Sequence, residues 1–289
     1  MCLEKKMKEY TANYSAKIFE KIESVDAILV GIGAGMSSSA GLEYSGVRFE
    51  KYFSDFKEKY GISDMYEGGF YPFPSLEEYW AWWSRQIYYN RYEVVVGKPY
   101  SDLHKILKDK NYFILTTNVD HQIQMAGFDK VSLFYTQGDY GLLQCSVPCH
   151  NKTYNNEEKV KKMIELQKDM KIPPTLIPYC PVCQKPMTMN LRIDDTFVQD
   201  EGWKKAQKRY NEFLKKYKDS KMLFLELGVG NNTPGIIKYP FMQMTIQNKN
   251  AIYVSINKQD FYLPKTIKDR SMQLQGDIAE ILNEIKNMK

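Results

Sequence analysis

The stretch "AILVGIGAGMSSSAGL", Ala27 to Leu42, runs from four apolar residues into glycines at 31, 33 and 35 and then into small polar residues. An apolar run ended by glycines reads as a buried strand, a tight turn and the start of a helix. Glycine has no side chain to block a phosphate, so backbone N–H groups in "GIGAG" can approach one. Alone the signal is weak, and an ordinary strand-to-helix turn explains it equally well. The G-x-G-x-x-G fingerprint is incomplete, because Met36 and Ser38 stand where a third glycine could fall.

The same grammar recurs along the chain. "YFILTTNVDHQIQMAG" from Tyr112, "VSLFY" from Val131, "MLFLELGVGNNTPG" from Met222 and "AIYVSIN" from Ala251 each read as an apolar strand. Helical patterns lie between some of them, such as "YSDLHKILKDK" from Tyr100 and the closing "GDIAEILNEIKNM" from Gly276. Apolar strands alternating with helices predict an α/β fold with a mainly parallel sheet covered on both faces. Ligands gather at the carboxyl ends of such strands, where the glycines, Asn118, Asp120 and Asn257 fall.

Two segments interrupt the alternation. "FYPFPSLEEYWAWWSRQIYYNRY", Phe70 to Tyr92, has a helical period and reads first as a small helical subdomain with its own apolar seam, and second as a wall of a cleft. The region 143–200 carries four of the five cysteines. Cys145 and Cys149 form C-x3-C, and Cys180 and Cys183 form C-x2-C. Two close thiolate pairs suit a tetrahedral structural zinc site, with His150 a competitor for Cys149. The alternative is four unliganded buried cysteines. "TTNVDH", Thr116 to His121, puts an amide and a carboxylate two residues apart, on the same side of an extended chain. Such groups hold ribose hydroxyls or position water, although Asn and Asp are also common in plain turns.

Composition sets the outer limits. The chain has 289 residues, 43% of them hydrophobic, which is ample for a core in one large domain or two modest ones. No apolar run approaches the ~18 residues of a membrane span. The charged start, "MCLEKKMKEYTANYSAKIFE", lacks the apolar centre of a secretory signal. A cytoplasmic protein is therefore expected, and there paired cysteines favour metal over disulfides. The net charge of +5 is mild, and no nucleic-acid motif accompanies it. Its densest run, "WKKAQKRYNEFLKKYK" (Trp203 to Lys218), reads as a solvated helix face or as a dock for an acidic partner.

In order, "GAGMSSSAGL", "PYSDLHKIL", "TTNVD", "YTQGD", two cysteine pairs, "LGVG", "SIN" and "GDIAEIL" resemble the sirtuin family over nearly the whole chain. The resemblance implies a Rossmann-type parallel-sheet domain that binds NAD, at 1–45, 96–142 and 220–289. It also implies a small helical and zinc-binding domain at 46–95 and 143–219, with Cys145, Cys149, Cys180 and Cys183 on the zinc. By position, Gly33, Ala34, Gly35 and Met36 would line the nucleotide pocket. Gly228, Gly230, Asn257 and Asp277 would meet the adenosine end, and Asn118 and Asp120 the nicotinamide ribose.

Three departures matter. Glu43, Tyr44, Ser45 and Gly46 replace the family's Pro-Asp-Phe-Arg, with Arg48 and Phe49 as shifted stand-ins. "NLRIDDTFVQDEGW", from Asn190, replaces the Phe-Gly-Glu stretch of the acetyl-peptide groove. Gln137 stands where the catalytic histidine belongs. Cleaving NAD at the nicotinamide bond needs no base at that place. Deacylation needs one later, and such help is worth ~10²–10⁴-fold. A glutamine cannot take a proton at neutral pH. His121 is a substitute base by proximity, but a turn histidine is the simpler reading.

Gln137, the wide first cysteine pair and "GVGNNTPGIIKYPF" (Gly228 to Phe241) resemble more closely the macrodomain-linked bacterial sirtuins. That subset implies protein ADP-ribosyl transfer to a lipoylated glycine-cleavage-H-like carrier protein, reversed by a macrodomain hydrolase. Asn118, Asp120 and Gln137 are then the expected catalytic residues. The rival expectations are a slow deacylase, an NAD hydrolase and a non-catalytic NAD sensor.

Overall fold

The computed structural model describes residues 2–230, 234–259 and 261–289, and only the backbone of residues 2–9. Asn231, Asn232 and Thr233, from the second glycine turn, lie outside the described residues. The chain begins with helix α1 (Cys2–Glu23), strand β1 (Ala27–Ile32) and a short α2 (Ala34–Ser39). Helices α3 (Gly46–Tyr60), α4 (Met65–Gly69) and α5 (Leu76–Ile87) follow, and a π-helical turn, Tyr88–Tyr92, ends them. Next come α6 (Lys98–Leu107), β2 (Tyr112–Thr116), α7 (Gln122–Met125) and β3 (Leu133–Tyr135). Strand β4 (Gly138–Cys145), β5 (Tyr154–Asn155), α8 (Glu157–Leu166) and β6 (Met187–Leu191) carry the cysteine region. The chain closes with α9 (Glu201–Lys216), β7 (Met222–Leu227), α10 (Lys238–Gln247), β8 (Ile252–Asn257), β9 (Ser271–Gln275) and α11 (Ile278–Asn287).

Six strands form one parallel sheet in the order β3-β2-β1-β7-β8-β9. That is the doubly wound Rossmann-type arrangement, with its switch point between β1 and β7. Every residue of β1 and β7 is buried, as expected of central strands covered on both faces. Ile18 and Ile22 of α1, Leu103 of α6 and Ile281 and Leu282 of α11 pack on one face. Trp203 and Ala206 of α9 and Phe241 and Met242 of α10 cover the other.

The small lobe has its own core. Phe49, Phe53 and Phe56 of α3 and Trp80, Trp82 and Trp83 of α5 pack with Leu143, Cys145 and Met189 of a three-stranded sheet, β5-β4-β6. The aromatic segment is therefore a helical layer under the cysteine lobe. Two boundaries differ from the expected 143–219. Helix α9 lies on the main sheet, because its apolar stripe of Trp203, Ala206, Tyr210 and Phe213 meets Phe113 and Phe134. Residues 138–142 start the small sheet as part of β4. The edge strand β9, "SMQLQ", has only Leu274 buried, so it carries no apolar run to betray it.

The main sheet holds one buried ion pair. Lys238, at the start of α10, places Nζ 2.5 Å from Glu226 Oε1 on β7, and the side chains are 3% and 0% exposed. Tyr253 donates to Glu226 Oε2 at 2.5 Å, and Lys238 Nζ lies 3.3 Å from the centre of the Phe261 ring. Burial pushes the Glu226 carboxyl up and the Lys238 amine down, and their mutual attraction opposes both shifts. Removing one partner of such a pair costs roughly 3–5 kcal/mol, since the other is left buried and uncompensated. Lys238→Met should lower stability by about that amount in urea unfolding, and Lys238→Met with Glu226→Gln should recover much of it.

Candidate active site

The two glycine turns meet at the switch point. A Cβ on Gly33 would lie 2.7 Å from Gly228 O and from the Val229 Cα, and one on Gly35 2.7 Å from the Gly228 Cα. Gly228 itself has φ +64°, and a Cβ there would lie 2.5 Å from Met36 N. Glycine is required at all three places for the backbones to touch. The amides of Gly33, Gly35 and Met36 donate to Leu227 O, Gly228 O and Gly33 O, so they serve the fold first. Met36 is wholly buried in the main core and presents no side chain to a ligand. Ala34 and Gly230 are exposed.

A cleft of about 180 Å³ opens beside this contact, lined by Gly35, Ser39, Asn257, Lys258 and Gly276 among others. Asn257 reaches it from the carboxyl end of β8, with its Nδ2 donating to Val229 O at 2.8 Å. Asp277 caps α11: its Oδ1 accepts from Ala279 N at 2.9 Å, Glu280 N at 3.2 Å and Ser39 Oγ at 3.0 Å. Ser39 thus links α2 to α11 across the cleft. Nothing in "SSSAG" alone marks this serine for that role.

Asn118 and Asp120 converge at the end of β2. Asn118 Nδ2 donates to Gly33 O at 2.9 Å, Ser37 Oγ at 2.9 Å and the Tyr100 hydroxyl at 3.1 Å. Its Oδ1 has no protein partner among the described residues, so that oxygen is free for a ligand. Asp120 accepts from Ser37 Oγ and, at 3.1 Å, from Gln122 N. Burial pushes the Asp120 carboxyl up, against the pull of these donors, and the nearby Asp139 charge adds to the rise. Burial likewise holds the Tyr100 hydroxyl protonated, so it can donate. Ser37 and Tyr100 were missed because a serine in "SSSAG" and a tyrosine in an amphipathic helix look ordinary; only the fold brings them together.

Gln137 occupies the turn between β3 and β4. Thr136 anchors one side, its N–H and hydroxyl donating to Thr116 O at 3.0 and 3.1 Å. On the other side Arg192 N donates to Gln137 O at 3.0 Å. Gly138 has φ +92°, and a Cβ there would lie 1.8 Å from Asn190 O. The half-buried Gln137 amide makes no side-chain hydrogen bond among the described residues. It is fixed by its backbone and free at its end.

His121 is more than a turn residue. It holds φ 65°, and its Nδ1 lies 2.5 Å from Asp139 Oδ2. Asp139 is 5% exposed and also accepts from Arg91 Nε at 3.0 Å and Gly141 N at 2.7 Å. Burial alone would raise this carboxyl, but His121, Arg91 and the Gly141 amide outweigh it and hold it below the usual carboxylate range. Arg48 serves elsewhere: it binds Asn90 Oδ1 at 2.7 Å and Tyr89 O, joining α3 to the π-helical turn. Phe49 is buried in the small lobe, so neither residue replaces the missing Pro-Asp-Phe-Arg run at the cleft.

The four cysteines come together at the far end of β4. The thiol sulfurs of Cys145, Cys149, Cys180 and Cys183 all lie within 4.8 Å of one another, with 3.5 Å from Cys145 to Cys183 and 3.6 Å from Cys149 to Cys180. Sulfurs bound to one tetrahedral zinc at ~2.3 Å stand about this far apart, so the donor set fits that ion. His150 lies beside the set, with Nδ1 3.0 Å from Cys149 Sγ and Nε2 2.8 Å from the Tyr154 hydroxyl. Its Nδ1 faces the sulfurs, but the group whose ligand atoms all lie within 4.8 Å of one another consists of the four cysteines without it.

No family model matches the chain. Solved structures give the fold. A Sir2 homologue determined as an NAD complex is 15% identical, with a TM-score of 0.63 over 94% of this chain and 93% of that one. A sirtuin from work on sirtuin substrate affinity is 16% identical, with a TM-score of 0.60 over 94% of this chain and 98% of that one. Sequence relatives go further. A probable bifunctional ADP-ribose hydrolase/ADP-ribosyltransferase of Fusarium oxysporum f. sp. cubense is 29% identical over 255 residues, 81% of this chain and 40% of that protein. A protein ADP-ribosyltransferase of Staphylococcus aureus strain Mu50 is 42% identical over 262 residues, 90% of this chain and 83% of that protein. With that identity over that span, the chain belongs to the protein ADP-ribosyltransferases, built on the sirtuin fold.

Proposed function

We propose that the chain cleaves NAD at the nicotinamide bond and transfers the ADP-ribose to a lipoylated, glycine-cleavage-H-like carrier protein. The observation that carries this reading is Gln137, a neutral amide on a turn fixed at both sides. Nicotinamide loss asks the protein to hold and distort the ribose and to place dipoles near a developing cation. The free Asn118 oxygen and the Gln137 amide suit that work. The cleft at Asn257 takes the adenosine end. Acyl transfer through a ribose hydroxyl would need a base at 137, and an amide cannot be one.

Helix α9 supports an acidic partner. Lys204, Lys205, Lys208 and Lys215 are exposed on its outer face, and among the described residues only Lys205 and Lys208 have acidic partners, Glu201 at 2.5 Å and Glu212 at 3.9 Å. The Fusarium relative's name joins ADP-ribose hydrolysis to transfer, which agrees with an ADP-ribose hydrolase as functional partner; the resemblance to macrodomain-linked sirtuins is what makes that partner a macrodomain protein. A cytoplasmic setting agrees with the four described cysteines being free thiols gathered for metal. No helix among the described residues is long and apolar enough to cross a membrane. Bound zinc would supply structure alone, tying the end of β4 to the Cys180 knuckle through four thiolates.

Radiolabelled NAD tests the reaction. Label should pass to the lipoylated carrier and not to the unlipoylated one, with nicotinamide released in step. Asn118→Ala and Gln137→Ala should each slow this at least about tenfold, ~1.4 kcal/mol of barrier. Nicotinamide release without labelled protein would favour hydrolysis, acylated ADP-ribose would favour deacylation, and NAD binding without turnover would mark a sensor. Reversing the charges of Lys204, Lys205, Lys208 and Lys215 should weaken transfer to the carrier, with the deficit shrinking as salt screens the interaction; unchanged transfer at low salt would remove α9 from the interface. Stripping zinc with a chelator should lower the melting temperature and expose the small-lobe tryptophans to quencher, and re-addition should reverse both.

A further inference from the structure

We propose that His121 is the general base of the transfer, accepting the proton of the acceptor nucleophile, and that Asp139 is the residue that positions it. This rests on the transferase reading above and adds the proton's destination to it.

Asp139 is buried and charged, and its two oxygens accept from Arg91, Gly141 and His121. An ionised carboxylate only accepts, so the proton of the 2.5 Å contact sits on His121 Nδ1. With a proton on Nδ1, the lone pair of a neutral ring lies on Nε2, which has no protein partner among the described residues. A histidine fixed at one nitrogen by a buried aspartate and open at the other is the arrangement that prepares a general base.

The backbone points the same way. His121 adopts φ 65°, a conformation that side chains rarely occupy and that clusters at functional sites. A glycine there would relieve the strain, yet the chain keeps a histidine. The pair also joins the two halves of the site. His121 follows Asp120 directly, and Asp139 lies two residues beyond Gln137. Arg91, which completes the carboxylate's shell, comes from the π-helical turn, a feature that recurs at functional sites.

The step balances without a further reagent. The acceptor's nucleophilic atom attacks the anomeric carbon of the nicotinamide ribose. The glycosidic C–N bond breaks, and its electron pair discharges the pyridinium as neutral nicotinamide leaves. The nucleophile's proton passes to His121 Nε2 and then to water.

Two substitutions separate this role from a structural one. Asparagine and glycine both tolerate the left-handed backbone. His121→Asn keeps a donor for Asp139 and removes the base; His121→Gly opens a space for free imidazole. With lipoylated carrier and labelled NAD, each should fold, bind NAD in a thermal-shift assay and lose about 10²-fold or more in transfer rate. Imidazole should restore part of the rate to His121→Gly and none to His121→Asn. Asp139→Asn should slow transfer in the native chain but cost nothing more in the His121→Asn background, since it acts through the ring. Wild-type-like transfer by His121→Asn, no imidazole rescue of a folded His121→Gly, or additive losses with Asp139→Asn would overturn the assignment. If the native chain labels no carrier at all, the transferase reading fails first and this assignment with it.

Discussion

The approach of two backbones, at Gly33 and Gly35 on one turn and Gly228 on the other, fixes the rest of the site. Any side chain there would have to overlap backbone atoms 2.5 to 2.7 Å away. The contact draws the ends of β1 and β7 together at the switch point of the sheet. Helix α2 then starts where Ser37 can reach both Asn118 and Asp120, and Ser39 can reach Asp277. The glycines do more here than clear room for a phosphate. They set the distance between the elements that hold each polar group.

Strand β4 carries the second constraint. It begins beside Gln137, passes Asp139 and ends at Cys145. One end faces the nucleotide site and the other lies in the cysteine cluster, 3.5 Å from Cys183. A parallel sheet cannot supply such a strand, since its own strands all run toward the ligand side. The small antiparallel sheet does, and the aromatic layer of α3 and α5 backs it. Tyr140, the third residue of β4, shows the link: its hydroxyl meets Tyr44, in the loop before α3, at 2.7 Å and Gln86 of α5 at 3.1 Å. One strand thus joins the cysteine cluster to the turn that carries Gln137.

Much of this was legible in the chain itself. Five of the six main strands, all but β9, read directly as short apolar runs, interrupted only by single residues such as Glu226 and Ser255. The cysteine spacing announced its cluster. Strand β9 did not show, because an edge strand with one buried residue lacks the pattern. The place of α9 did not show either: its dense charge dominates the sequence, while the stripe from Trp203 to Phe213 decides which sheet it covers. In the site, Asn118, Asp120 and Gln137 stood out by motif. Ser37, Tyr100 and Asp139 did not, for their meaning depends on contacts between residues 63 to 83 positions apart or on a partner such as His121, 18 positions away.

The site separates two jobs that one histidine could combine. Position 137 sits on a turn pinned by Thr116 and Arg192, which suits a group that holds a ribose in place. An amide does this without offering a base to the ribose hydroxyls, so the sugar's own oxygens are not activated against a captured acyl group. The ring proposed to take the proton stands instead on the neighbouring turn, held by a carboxylate that also accepts from Arg91 and Gly141. Moving the base from one turn to the next changes which oxygen, nitrogen or sulfur can lose a proton as nicotinamide leaves. On a common scaffold, the proposed shift of a basic nitrogen would favour an incoming nucleophile over the ribose hydroxyl.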